Sequence, residues 1–202
     1  MKKVVYDLDG TIIKFNTFRC WLIISLLISI VFLRVFFLFY FLKFVYLRKE
    51  RVLNRITFKA AVLKLQVNSI FWNTIGNLYG KLLAVLFVRK ELIQLDSLVE
   101  RCLATAAPSI YILPFSKQLK VFNHVISSHF SDSGEFIETL NNEKKRFVMA
   151  TFSSSPDIFY TDHYDDIPLA KACKYTYLVS PNKLTIDVFS QEMKKECYSI
   201  VK

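Results

Sequence analysis

Between Trp21 and Leu42 the chain runs for 22 residues with only Ser25, Ser29 and Arg34 as strongly polar interruptions. A helix of that length reaches across a bilayer, so any fold must cover this run or set it against something apolar. The run lies in a segment of unusual charge. Residues 14–90 carry 13 Lys or Arg and one acid, Glu50, a net +12, with 16 of the chain's 31 Phe, Trp and Tyr. The rest of the chain is close to neutral, at −2, so the overall +10 on 202 residues belongs to one segment. Basic disordered tails are poor in Phe, Ile and Leu, and a chain that is 53% hydrophobic is not one of them. Nucleic-acid grooves are wet and polar, which excludes nucleic acid as the expected partner of this run. A partner both apolar and anionic is a membrane surface. The run is no secretory signal: it begins late, lacks a small-residue cleavage site and continues into Arg48-Lys49-Glu50-Arg51. After it, Phe58–Val88 mixes polar and apolar residues and predicts one or two amphipathic helices.

Other classes are excluded by what is scarce. Gly10, Gly76, Gly80 and Gly134 cannot form either glycine-rich nucleotide-cradling loop. Cys20, Cys102, Cys173 and Cys197 are widely spaced, with no CxxC, and read as small apolar filler rather than zinc ligands or a disulfide framework.

The flanks of the basic segment have a different rhythm. Val4–Tyr6, Val99–Ala104, Val121–Ser127, Ile158–Thr161 and Tyr175–Val179 predict strands; Pro108–Leu119, Asn142–Phe152 and Asp166–Lys174 predict helices. Such alternation indicates an α/β fold with a parallel sheet. Chemistry-bearing residues stand at the strand ends, where open α/β sheets bind ligands. Asp7 and Asp9 follow the first strand and, two apart in an extended chain, share a face. Paired carboxylates repel and ask for a hard cation such as Mg²⁺. Gly10 then lets the chain bend. Asp162 and Asp166 follow Ile158–Thr161, Thr105 follows Ala104, and Lys144 and Lys145 lie near the start of a helix.

In that order, Asp7-Leu8-Asp9-Gly10-Thr11, a strand-terminal Thr105, a lysine, and Asp162-x-x-x-Asp166-x-Pro168-Leu169 resemble the haloacid-dehalogenase-like hydrolase superfamily, in its phosphoserine-phosphatase-like branch. The resemblance covers residues 3–13 and about 99–182. It implies a Rossmann-like parallel sheet formed by residues 1–14 and 97–202, with residues 15–96 as a helical, membrane-associated cap inserted after the first strand. It implies Asp7 as a nucleophile forming an aspartyl-phosphate and Asp9 as general acid and base. It implies Thr105 and Lys144 as phosphate-binding groups, with Lys145 as the alternative lysine. It implies Mg²⁺ held by Asp7, the Asp9 carbonyl, Asp162 and Asp166. Ala107, His163 and Asp165 depart from the usual residues of these motifs.

Asp7 and Thr105 must meet in one site, so the chain between them returns to the side it left. A single crossing by Trp21–Leu42 is thereby excluded. Lys2, Lys3, Lys14 and Arg19 precede the run and Arg48, Lys49, Arg51 and Arg55 follow it, which favours the cytoplasmic side for both ends. The expectation is a helical hairpin dipping into the cytoplasmic leaflet of an anionic membrane. In pattern the cap resembles the membrane-associated phosphatidylglycerophosphatase C branch, which implies a lipid phosphate monoester such as phosphatidylglycerophosphate as substrate. The alternatives are a soluble small-molecule phosphatase of phosphoserine-phosphatase type and a catalytically idle membrane-binding protein.

Overall fold

The computed structural model describes residues 1–201. The expected strand-and-helix alternation is present. In chain order the elements are β1 (Lys2–Tyr6), α1 (Thr17–Val31), α2 (Val35–Lys49), α3 (Arg55–Lys64), α4 (Ile70–Leu86), β2 (Val99–Pro108), α5 (Ser109–Leu119), β3 (His124–Phe130), β4 (Phe136–Ile137), α6 (Asn141–Phe152), β5 (Ile158–Thr161), α7 (Ile167–Ala170), β6 (Tyr175–Val179), α8 (Lys183–Glu192) and β7 (Tyr198–Val201). One sheet takes the order β4-β3-β2-β1-β5-β6-β7. Its pairings are parallel except the short β3–β4 hairpin.

β1 lies in the middle of the sheet and is buried on both faces, which is what its unbroken Val4-Val5-Tyr6 predicts. The alternation divides the core. Val4, Tyr6, Leu103 and Tyr160 pack on one face with α4, α5 and the inserted helices. Val5, Cys102, Ala104, Phe159 and Leu178 pack on the other with Val148 and Phe152 of α6 and Phe189 of α8. The chain leaves β1 toward β2 on one side and later returns to its other side as β5. The carboxyl end of β1 is therefore a topological switch point, where neighbouring connections part and leave a crevice.

The inserted segment is not a detached lid. Tyr79 of α4 donates its hydroxyl to the Thr17 carbonyl at 2.9 Å, and the Thr17 and Tyr111 hydroxyls lie 3.1 Å apart. Gly76 and Gly80, one turn apart on α4, let its backbone meet α5. A Cβ on Gly76 would stand 2.7 Å from the Ile110 carbonyl oxygen, and one on Gly80 would collide with the Tyr111 carbonyl. Gly80→Val is expected to push the two helices apart and destabilise the protein by about 3 kcal/mol, as overpacking does. Thermal denaturation of the variant checks this; an unchanged Tm would contradict the close packing.

The apolar run is not one helix. It breaks at Phe32–Arg34, where Leu33 takes a left-handed φ of 48° and the Arg34 N–H turns back to the Ser29 carbonyl at 2.8 Å. Two 15-residue helices result, and among the described residues no helix is long and apolar enough to cross a membrane. α1 is inside out. Its buried residues are Thr17, Trp21, Ser25 and Ser29, while Ile23, Leu27, Ile30 and Val31 face outward. The inward serines are spoken for: Trp21 Nε1 donates to Gln66 Oε1 at 2.9 Å, and Gln66 Nε2 donates to Ser25 Oγ at 3.0 Å. On α2, Phe37 and Phe41 turn in while Val35, Phe36, Phe39, Leu42 and Val45 turn out.

Several boundaries differ from expectation. β2 runs on to Pro108, with its register slipping after Thr105, and β3 starts at His124 rather than Val121. The helix expected over Asp166–Lys174 is a 3₁₀ turn, Tyr164–Asp166, followed by the four-residue α7. β4, α8 and β7 were not signalled by the pattern; β7 forms the far edge of the sheet, and α8 packs Phe189 on one of its faces. The four cysteines are free thiols.

Candidate active site

The crevice at the end of β1 opens into a cavity of about 600 Å³. Asp7 and Asp9, Thr105, Lys144, Asp162 and Asp166 all line it. They come from the ends of β1, β2 and β5 and from the first turn of α6. Asp7 is buried, its backbone N–H bonded to the Tyr160 carbonyl of the neighbouring strand at 2.9 Å. Gly10 follows at φ 78° and has no room for a Cβ, because the Asp162 carboxylate lies against it. That is a stricter demand for glycine than the bend alone. The Asp9 carboxylate accepts the N–H of Thr17, the first residue of α1, at 3.0 Å. The start of the inserted segment is thus fastened to the second acid.

Of the two lysines, Lys144 is the one that reaches the acids. Lys144 is fully buried, and its ammonium sits 2.9 Å from Asp7 Oδ1 and 2.6 Å from Asp166 Oδ1; Lys145 is exposed. Asp166 is fixed from its other oxygen by the Thr161 hydroxyl, which donates at 2.6 Å. The Thr105 hydroxyl accepts the Ala107 N–H at 3.1 Å and so shapes the turn at the end of β2.

These environments raise the titrations of three acids and of the lysine, for different reasons. Burial raises the Asp7 pKa well above the usual carboxylate range, helped by Asp166 and Asp162 and opposed by Lys144. Burial also raises Asp9, opposed chiefly by its bonds from Thr17. Burial and then Asp166 push Asp162 up to about 7. Burial works against the charge of Lys144, but Asp166 and Asp7 together outweigh it and hold the ammonium above its ordinary value. Four acids facing one lysine leave an excess of negative charge in a confined place.

Carboxylate oxygens are the kind of donor that a hard divalent cation takes. Asp166 Oδ1 is buried and accepts no well-aligned hydrogen bond. No three acidic, His or Cys side chains among the described residues converge on a finished coordination shell; the Lys144 ammonium sits between two of them.

Two further residues, Lys59 and Arg55, line the cavity without a sequence signal, and Glu138 pairs with both. Lys59 of α3 is buried, and its ammonium donates to the Ala106 carbonyl at 2.5 Å and to Glu138 Oε1 at 2.8 Å. Glu138, just after β4, is buried as well. Arg55, one turn before Lys59, lies 3.8 Å from Glu138 and 3.7 Å from Asp165. Burial lowers the Lys59 pKa against the pull of Glu138. These contacts clamp the inserted helices onto the carboxyl end of the sheet. Nothing in an amphipathic segment says which lysine turns in, since cations there are expected in water.

No protein-family model matches the sequence, and no curated protein matches it. The structure does match solved ones. A protein with unknown function from Bordetella pertussis Tohama I superposes with a TM-score of 0.66 at 13% identity, covering 100% of this chain and 99% of that one. A phosphoserine phosphohydrolase-like protein from Francisella tularensis gives 0.57 at 16%, covering 93% and 92%. A HAD family hydrolase from Salmonella enterica serovar Typhi gives 0.56 at 10%, covering 92% of this chain and 65% of the other. At these identities the likeness is one of fold: an α/β core with a mostly parallel sheet.

Proposed function

We propose that the protein is a phosphomonoester hydrolase working through an aspartyl-phosphate. One observation carries the reading: Asp7, Thr105, Lys144, Asp162 and Asp166, brought from separate elements, line one cavity at the switch point of the sheet. The neighbours named as phosphohydrolases share the fold and so favour it.

In this reading an Asp7 carboxylate oxygen attacks phosphorus, and the bond to the leaving oxygen breaks. Asp9, whose raised pKa suits proton transfer, gives its proton to that leaving oxygen. It then takes a proton from the water that attacks the acyl phosphate, which frees inorganic phosphate and restores Asp7. Lys144 and the Thr105 hydroxyl hold the phosphate oxygens and offset charge as the bond changes proceed. Asp7, the Asp9 carbonyl, Asp162 and Asp166 would hold Mg²⁺, which when bound would offset phosphate charge and the mutual repulsion of the acids.

The substrate side has two readings. The fold neighbours favour a small soluble phosphomonoester. The outward apolar faces of α1 and α2 favour a lipid phosphate, with the protein at the cytoplasmic face of an anionic membrane. An exposed face running from Ile30 through Phe36 is larger than a lone surface apolar residue needs explaining, and Arg34, Lys43, Arg48 and Lys49 accompany it. The likeness to phosphatidylglycerophosphatase C is part of this second reading.

A phosphate-release screen in detergent, with soluble and lipid monoesters side by side, tests the activity. Release is expected with Mg²⁺ and none with excess chelator; no release from any monoester with Mg²⁺ overturns the reading. Cosedimentation with vesicles separates the two substrate classes. Binding to anionic vesicles that falls by about tenfold in a Phe32→Ser, Phe36→Ser variant, as loss of buried aromatic area dictates, supports the lipid. A protein left wholly in the supernatant removes the lipid and keeps the hydrolase.

A further inference from the structure

Charge in the cavity is sorted by the part of the chain that supplies it. The sheet end brings the acids. Lys14, just before the inserted segment, and Arg19, Arg48, Arg55 and Lys59 within it also line the cavity, with not one carboxylate from that stretch. Lys59 is neutralised by Glu138, and Arg55 shares Glu138 and Asp165. Lys14, Arg19 and Arg48 make no ion pair among the described residues, and Arg48 is held by donating Nη1 to the Leu53 carbonyl at 3.0 Å. Like charges gathered at one mouth raise its potential and draw in an anion. Asp7 and Lys144, which would take the phosphate, are buried, whereas Lys14, Arg19 and Arg48 are exposed toward solvent. A cavity of about 600 Å³ also has room for much more than a phosphate. Phe18, Leu22 and Phe58 of the inserted segment give the same cavity an apolar lining.

We infer that the ligand of this cavity is a phosphomonoester with a second anionic group, a carboxylate or a second phosphate, seated against Lys14, Arg19 and Arg48. A short uncharged linker would lie over Phe18 and Leu22. An ammonium group on the ligand is disfavoured, because the wall offers it no carboxylate and three cations. The inference rests on the phosphomonoesterase reading of Asp7 and Lys144. The same chemistry is found in a phosphorylated lipid head group and in a free organic bis-anion.

Binding of non-hydrolysable phosphonates to the Mg²⁺-supplemented protein tests it apart from turnover. By calorimetry 3-phosphonopropionate is expected to bind about tenfold more tightly than propylphosphonate, the worth of one charge-assisted contact. 3-Aminopropylphosphonate is expected to bind more weakly than either. In an Arg19→Gln, Arg48→Gln variant the three affinities are expected to converge. A Lys43→Gln, Lys49→Gln variant, which removes the same charge from outside the cavity, is expected to keep their order. Equal affinities in the unmodified protein, no phosphonate binding at all, or an order unchanged by the Arg19 and Arg48 substitutions would each overturn the inference. Ordered binding with no hydrolysis of any monoester would instead leave the second-anion site standing and remove the hydrolase reading. Turnover of phosphatidylglycerophosphate in micelles against its deacylated form separates the sources. Both should exceed glycerol 3-phosphate, and failure of both to do so counts against the site. A lead for the lipid assigns the head group; parity assigns a free bis-anion.

Discussion

Asp7→Asn is expected to abolish phosphate release, lowering kcat by at least about 10⁴, the scale seen when a catalytic nucleophile is removed. The substitution keeps the shape of the side chain and removes only its ability to form the acyl phosphate. Folding is expected to survive, because Lys144 retains Asp166 at 2.6 Å as a partner. Losing one of the acids that crowd this pocket also relieves part of its repulsion. The diagnostic result is therefore a folded, inactive protein. Measured side by side, unchanged thermal denaturation with no phosphate released supports Asp7 as the nucleophile. Turnover retained in the variant removes that mechanism.

The largest effect on stability is expected at Lys144. Lys144→Met fills a similar volume but leaves Asp7 and Asp166 buried without their cation. Breaking a buried ion pair from one side costs about 3–5 kcal/mol, and here one ammonium serves two carboxylates. The variant is expected to melt far below the unmodified protein near neutral pH and to release no phosphate. Lowering the pH should recover part of the loss, because protonated acids no longer need the ammonium. The sign follows from the acids: raised carboxyl pKa values in the fold mean that stability falls as pH rises through the window from the unfolded value to the folded one. For Asp162 that window ends at about 7. A Lys144→Met protein as stable as the unmodified one at pH 7 would contradict the bridging role. Lys145→Met, on the exposed neighbour, is the control and is expected to change little.

The candidate site was legible in the sequence where its residues sit at strand ends. Asp7, Asp9, Thr105 and Asp162 follow short β-branched or aromatic runs, and the switch-point geometry of a parallel sheet brings such positions together. Lys144 was legible only as one of two, because consecutive helical residues point about 100° apart and one-residue uncertainty in a helix start decides which turns in. β7 was missed because Tyr198–Val201 is a short run following a loop, and only pairing with β6 makes it a strand. Lys59 and Glu138 were missed for a different reason. Each looks like a solvated charge, and burial of the pair depends on α3 meeting the segment after β4.

The apolar run shows the same division most clearly. Its length, its position between Asp7 and Thr105 and its basic flanks were fixed by the order of residues, and they already demanded a return rather than a crossing. Where it would break, and which face would turn inward, depended on packing. Trp21 and Ser25 turn in because Gln66, Trp72, Tyr79 and Tyr111 give them aromatic contacts and hydrogen bonds, and Ser29 satisfies its hydroxyl on the Ser25 carbonyl; Ile23, Leu27 and Ile30 are left outside. Chain order determines which groups are available and at which strand ends they stand, because those signals are local. The tertiary structure decides which groups are buried and paired, because a side chain's surroundings are supplied by elements far away in the sequence.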